Sequence, residues 1–155
     1  LYSLSIESFE KNSNHLMGLF DLYEWKDHLI ESYSHGMRQK LIMTSVFMLN
    51  SPMIIVDEPM VGLDPKSAKI VKELFKKHSI NGGSIFLSTH SLEIAEELCD
   101  EIAIILNGQI RIIGDMESLR KEASLHNSDL EEVFLQLTDT EDLSKVISAL
   151  KDMDL

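Results

Sequence analysis

The sequence predicts an α/β fold built on a parallel sheet, and three features of the chain indicate it. Two short apolar runs, residues 53–56 and Ser84–Ser88, have the length and branched side chains of strands that are buried on both faces. Residues 66–78, between these runs, carry apolar side chains at helical spacing with lysines on the other face. A strand, a helical crossover and a second strand predict parallel pairing. Asn107-Gly108, between the runs 102–106 and 109–113, then predicts a hairpin that ends the sheet.

The rest of the chain reads as helical. Apolar side chains recur at intervals of three and four in residues 1–33, which predicts short helices with breaks near residues 12–14 and 24–27. Ser34 stands where it can cap a helix over residues 36–49. The helical spacing returns after residue 115, in two or three short helices. These patterns divide the chain into a helical part (1–50), an α/β part (51–114) and a C-terminal helical tail (115–155).

Composition excludes several classes of function. The 155 residues are 44% apolar and 26% charged, with a formal net charge of −12, which fits one compact domain and argues against a nonspecific nucleic-acid binder. The single cysteine, Cys99, and the lack of zinc-site spacing favour a reducing compartment. The longest apolar runs are too short to span a bilayer, so a membrane role would be peripheral. The first residue, Leu1, is not Met, which leads us to expect a piece of a longer product.

Polar side chains follow both predicted strands. Asp57 and Glu58 follow the first, and His90 follows the second. The carboxyl ends of parallel strands meet at one edge of a sheet, where ligands bind, so we expect the three side chains to converge. Adjacent strand residues point to opposite sides, so one carboxylate can hold a cation while the other handles water. Taken singly, each residue has an alternative structural role, because Asp-Glu-Pro can simply begin a loop and His90 can cap a helix.

The order and spacing of four motifs resemble the ATP-binding cassette (ABC) ATPases. The motifs are Tyr33-Ser34-His35-Gly36-Met37 as the signature loop, residues 53–58 as the Walker B strand, Gly62-Leu63-Asp64 as the D-loop and His90 as the switch histidine. The resemblance covers residues 33–113. It implies an incomplete P-loop NTPase-like parallel sheet with a helical signature subdomain, a terminal β-hairpin and a helical C-terminal tail.

The resemblance also implies roles, with ATP and Mg²⁺ as the ligands. Asp57 would hold Mg²⁺ through water, Glu58 would be the general base, and His90 would contact the γ-phosphate. Asp64 would couple the two sites of a dimer. In trans, the loop of Ser34, Gly36 and Met37 would bind the γ-phosphate of ATP held by a second nucleotide-binding domain, as a helix N-terminus favours anions.

The chain departs from the family pattern in two places. The family prefers Leu-Ser-Gly-Gly-Gln in the signature loop, whereas Tyr33, His35 and Met37 replace its first, third and fifth residues. The phosphate loop, Gly-x-x-x-x-Gly-Lys-Ser/Thr, is absent from residues 1–155, since Gly62 before Pro65-Lys66-Ser67 has the wrong spacing. We therefore expect the C-terminal part of a nucleotide-binding domain, which alone binds MgATP weakly or not at all and self-associates through open apolar sheet faces.

The function that follows is an ATP-hydrolysing subunit of an ABC transporter. Residues 129–134 are similar to the ending of cassettes that power bacterial exporters, so we expect an exporter that works as a homodimer with a membrane permease, peripheral on the cytoplasmic face of the membrane. Two alternatives remain at this point. The ATPase head can belong to an ABC protein outside transport, or the fold can serve as a non-catalytic interaction module.

Overall fold

The computed structural model describes residues 5–138, which form two compact units divided between His90 and Ser91. The predicted helix that contains Leu143 and Leu150 lies outside the described residues. None of the helices within residues 5–138 is both long enough and apolar enough to cross a membrane. The division into parts 1–50, 51–114 and 115–155 stays a prediction.

The first unit opens with two long helices. Helix α1 spans Ile6–Leu19, two 3₁₀ turns follow at Tyr23–Trp25 and Ile30–Ser32, and helix α2 spans His35–Met48. The predicted break at residues 12–14 is wrong, because asparagine lowers helix propensity only slightly and Ser13 donates a hydrogen bond to the Glu10 carbonyl oxygen (3.2 Å). Helices α1 and α2 pack together, and the buried side chains of Leu16, Phe20, Leu22, Tyr33 and Met43 lie in this unit.

A two-stranded parallel sheet completes the first unit. Strand β1 (Met53–Asp57) pairs in register with β2 (Ser84–Ser88), and helix α3 (Pro65–Ile80) connects them as the sequence predicted. Helix α3 buries Val71 and Phe75, and Ile54 and Val56 are buried in β1. One face of the sheet is therefore part of the core, and the carboxyl ends of both strands lie side by side.

The prediction that both strands are buried on both faces is wrong. Met53, Ile55 and Phe86 are 53%, 71% and 62% exposed, and they share the face opposite Ile54 and Val56. Burial alternates along β1 because, within residues 5–138, only one face of this sheet is covered. The open apolar face agrees with the expectation that sheet faces lie exposed in this chain.

The second unit is built on the hairpin. Helix α4 (Leu92–Leu98) leads to β3 (Ile102–Leu106) and β4 (Gln109–Gly114), followed by α5 (Met116–Glu122) and α6 (Leu130–Leu137). The turn is the predicted one, since Asn107 and Gly108 both have positive φ, 52° and 75°. The hairpin does not end the first sheet, because β3 and β4 pair with each other in a separate two-stranded sheet.

Candidate functional site

Glu58 is held in an uncommon backbone conformation just after β1. Its φ is +45°, in the left-handed region that side chains other than glycine rarely adopt, at a cost of roughly 1–3 kcal/mol. The Glu58 amide donates to the Ser88 carbonyl oxygen at the end of β2 (3.0 Å), which holds the turn. Strain of this kind persists where the surroundings fix it, and it turns Glu58 out of the strand direction.

The Glu58 carboxylate contacts the chain that follows β2. Its Oε1 atom accepts a hydrogen bond from the His90 amide (2.8 Å) and lies 2.8 Å from His90 Nδ1, while Oε2 accepts from the Thr89 hydroxyl (3.3 Å). The Glu58 side chain is 33% exposed and that of His90 is 78% exposed. When Nδ1 carries the ring hydrogen and donates a hydrogen bond to Glu58 Oε1, Nε2 of the exposed ring is left for a second partner. Glu58 and His90 thus converge as predicted.

Asp57 has a different neighbour from Glu58. Its carboxylate accepts a hydrogen bond from the Ser88 hydroxyl, its partner in register on β2. Asp57 and Glu58 therefore accept hydrogen bonds from different residues. Asp57 is exposed at the carboxyl end of β1, and its oxygens are the ligand type that Mg²⁺ prefers. Within residues 5–138 no group of three His, Cys, Asp or Glu side chains is placed so that it could hold a metal ion.

Ser34 begins helix α2 as predicted. Its hydroxyl oxygen accepts a hydrogen bond from the Met37 amide (3.2 Å), so it caps the helix. The Ser34 side chain remains exposed, and the helix N-terminus directs free backbone amides and the positive end of the helix dipole toward the same place. The arrangement can therefore bind an anion while the cap is in place.

Gly36 and His35 both lie against the turn at Gly62. A Cβ atom added to Gly36 would lie 2.7 Å from the Gly62 carbonyl oxygen, and one added to Gly62 would lie 2.4 Å from Cδ2 of the His35 ring. Gly62 also has a φ of +78°, which favours glycine. The absence of side chains at these two glycines thus permits the close approach of α2 to the loop. His35 fills the space that a side chain at Gly62 would need.

Asp64 is bound within its own chain. Its carboxylate caps α3 by accepting from the Ser67 amide (3.0 Å) and hydroxyl (2.8 Å), and it forms an ion pair with Lys40 Nζ (2.7 Å). These donors, the Lys40 ammonium foremost, hold the pKa of the Asp64 carboxyl well below its usual range. A coupling role across a dimer would have to operate alongside these contacts.

The structure shows two residues that sequence reasoning missed, Gln39 and Lys40. Gln39 Nε2 donates a hydrogen bond to the Pro59 carbonyl oxygen (3.1 Å), and Lys40 pairs with Asp64. Both contacts join residues at least twenty positions apart, so no local pattern in the sequence could have revealed them. The candidate residues thus form two groups, one at the strand ends (Asp57, Glu58, His90) and one at the start of α2 (Ser34, Gly36, Met37 with Asp64).

Comparison with known proteins shows which proteins this chain resembles. A family model described as "AAA domain, putative AbiEii toxin, Type IV TA system" matches residues 21–96. The chain is 32% identical over 137 residues, 88% of its length and 56% of the relative's, to the ABC-type transporter ATP-binding protein EcsA of Bacillus subtilis (strain 168). It is 35% identical over 82 residues, 53% of its length and 27% of the relative's, to a fluoroquinolones export ATP-binding protein of Mycobacterium tuberculosis (strain ATCC 25618 / H37Rv).

Solved structures agree with the sequence relatives. An ATP-binding subunit of an ABC transporter superposes with a TM-score of 0.85 at 33% identity, covering 89% of this chain and 57% of that one. A dimeric ATP-binding cassette in a post-hydrolysis state bound to ADP and Pi superposes with a TM-score of 0.64 at 21% identity, covering 74% and 50%, a likeness of fold alone. The chain spans little more than half the length of EcsA and of the ATP-binding subunit. The predicted resemblance to ABC ATPases and the partial P-loop NTPase-like fold are confirmed.

Proposed function

We propose that this chain carries the residues that hydrolyse ATP in an ATPase subunit that drives an exporter. Its homologues are ATP-binding proteins of ABC transporters over most of its length. The observation that carries the proposal is the contact of Glu58 with His90 at the carboxyl edge of β1 and β2 (2.8 Å). It provides a carboxylate and an imidazole at the edge where an open α/β sheet binds ligands.

The chemistry proposed for this edge is attack of water on the γ-phosphate of ATP. Glu58 accepts a proton from, and orients, the attacking water, and its contacts with Thr89 and His90 fix the carboxylate for that task. The exposed His90 ring contacts the γ-phosphate through Nε2 while Nδ1 stays on Glu58. Asp57 would hold Mg²⁺ through water, and the ion would supply charge neutralisation of the phosphates when bound. Phosphoryl transfer depends mainly on such positioning and on electrostatic stabilisation.

The proposed second ligand surface acts on a neighbouring protomer. Ser34, Gly36 and Met37 present the N-terminus of α2, whose amides and dipole favour a phosphate. A homodimer would place this surface against ATP held by the partner. Asp64 would lie near the same junction.

The isolated 155-residue chain is proposed to bind MgATP weakly or not at all and to be inactive alone. Residues 1–155 contain no Gly-x-x-x-x-Gly-Lys-Ser/Thr sequence, the loop whose amides and lysine hold the β- and γ-phosphates. The chain also spans only about half of the relatives it matches. A longer product that contains this chain would supply the phosphate loop.

The setting proposed for the subunit is the cytoplasmic face of the cell membrane, in contact with an integral permease. The relatives are named as transporter ATP-binding proteins, and one of them as an export protein, which supports export. The net charge of −12 disfavours a nucleic-acid partner. The transported substrate would be selected by the permease.

The test is a calorimetric titration with MgATP of this chain and of the full-length product that contains it. We expect binding by the full-length protein alone. Full-length Glu58→Gln should bind MgATP but hydrolyse it roughly 10²- to 10⁴-fold more slowly, whereas Glu73→Gln, an exposed position on α3, should match the wild type. Binding by neither protein would favour the non-catalytic interaction module, and tight binding by the short chain would show that the phosphate site has been misplaced.

A further inference from the structure

The start of helix α2 packs against the loop that follows Glu58. Four contacts join them, and we call this set the α2–loop clamp. Its members are His35, Gly36, Gln39 and Lys40 on α2 and Pro59, Gly62 and Asp64 on the loop.

Two polar contacts define the ends of the clamp. Gln39 Nε2 donates to the Pro59 carbonyl oxygen (3.1 Å), directly after Glu58. Lys40 Nζ pairs with Asp64 Oδ2 (2.7 Å) at the other end of the loop, where Asp64 also caps α3. The loop is thus held where it leaves β1 and where it enters α3.

Lys40 is the charged member of the clamp, and it is well shielded from water. Its side chain is 16% exposed, compared with 47% for Asp64. A shielded ammonium needs a partner, because removing its carboxylate leaves a charge without compensation. Removing the carboxylate should therefore cost more than breaking an exposed surface ion pair.

The loop is connected to the backbone of Glu58 itself. The Val61 amide donates to the Glu58 carbonyl oxygen (3.2 Å), and the Leu63 amide donates to that of Met60 (3.2 Å). Glu58 already has an unfavourable φ of +45°, a conformation that persists only where its surroundings fix it. Movement of the loop would therefore remove one of the contacts that fix the Glu58 backbone, the others being those to the end of β2 and the residues after it.

We propose that Lys40 is a positioning residue for ATP hydrolysis, which through Asp64 holds residues 59–64 against α2 and so keeps Glu58 aimed at the attacking water. The inference rests on the proposed function. The same clamp joins the phosphate-binding start of α2 to the loop, so each protomer presents both to its partner as one body.

The first test uses this chain alone and needs no ATP. Amide hydrogen exchange at Val61 and Leu63 should be on the order of tenfold faster in Lys40→Met, and the titration of Asp64, followed by NMR, should move to higher pH. Lys40→Arg should restore both, and Lys69→Met, an exposed position on α3, should match the wild type. Unchanged exchange and titration in Lys40→Met would overturn the clamp.

A second variant protects the test against misfolding. Asp64→Asn removes the charge but keeps a good helix cap, so α3 should persist while exchange at Val61 and Leu63 rises. If these amides exchange as slowly in Asp64→Asn as in the wild type, the ion pair does not hold the loop.

The functional test uses the full-length product. Lys40→Met should lower kcat on the order of tenfold to a hundredfold with KM changed less than about twofold, since positioning is lost and ATP binding is kept. Lys40→Arg should recover the rate. An unchanged kcat in Lys40→Met would refute the positioning role. A wild-type protein that hydrolyses no ATP would refute the proposed function instead, and hydrogen exchange would still decide the clamp.

Discussion

Replacement of Gly36 by alanine should destabilise the protein, although alanine is the better helix former. The added Cβ would lie 2.7 Å from the Gly62 carbonyl oxygen, and because that atom belongs to the backbone, the loop must shift. Overpacking of this kind costs typically about 1–3 kcal/mol. The helix preference of alanine returns at most about 1 kcal/mol, so we expect a net loss of ~1–2 kcal/mol.

Gly18 provides a matched control on the same unit. It lies in α1, and nothing is within 4 Å of a Cβ added there. The same substitution at Gly18 should therefore leave stability unchanged or raise it by up to about 0.5–1 kcal/mol. The two glycine-to-alanine variants thus have opposite expected signs.

Urea unfolding followed by the fluorescence of Trp25, the single tryptophan, measures both variants, since it lies in the unit that contains both glycines. With a slope of about 1–3 kcal/mol per molar urea, Gly36→Ala should lower the midpoint by roughly 0.3–2 M. A Gly36→Ala midpoint equal to or above that of the wild type would refute the close packing of α2 against the Gly62 turn.

Three further predictions concern charge and exposed surface. The Lys40 ammonium keeps the pKa of Asp64 low, so ionised Asp64 adds stability above about pH 4, and this stability is lost as the pH falls below that value. Between neutral and acid pH the urea midpoint should therefore fall less in Asp64→Asn than in the wild type. The open sheet face predicts concentration-dependent self-association, which Ile55→Thr should weaken in light scattering; a wild-type monomer at high concentration would contradict this. Arg120 donates hydrogen bonds to the Ser128 carbonyl oxygen (2.6 Å) and to the Glu96 carboxylate (3.2 Å), so Arg120→Met should cost about 1–3 kcal/mol in thermal unfolding, whereas the same change at the exposed Arg111 should be neutral.

Local chemistry in the sequence was enough to predict most elements. The capping by Ser34, the crossover helix α3, the Asn107-Gly108 turn and the parallel pairing of β1 with β2 all follow from short-range signals, and the structure contains each of them. The wrong predictions concern which faces of the strands other parts of the protein cover. Apolar residues such as Ile55 indicate a buried strand, but whether a second layer lies on that face depends on segments that a local pattern does not contain.

For the candidate site too, features set by local sequence were predicted and features set by distant residues were not. Glu58 and His90 were predicted to meet because the carboxyl ends of parallel strands share an edge, and they do meet. The strained φ of Glu58 was not predictable, since glutamate has no preference for the left-handed region. Gln39 and Lys40 were missed because their partners lie on a distant loop and a lysine on a helix normally faces solvent.

The contacts that Asp64 makes within its own chain limit how the two sites of a dimer would communicate. The carboxylate already receives hydrogen bonds from Ser67 and an ion pair from Lys40, so a contact across a dimer must either use its remaining lone pairs or displace one of these donors. Displacement of Lys40 would leave a shielded charge unpaired, which opposes it. In such a dimer, movement of α2 and the loop together would keep the ion pair, whereas a change of partner at Asp64 would break it. The joint movement would therefore cost less free energy as a way to transmit a signal between protomers.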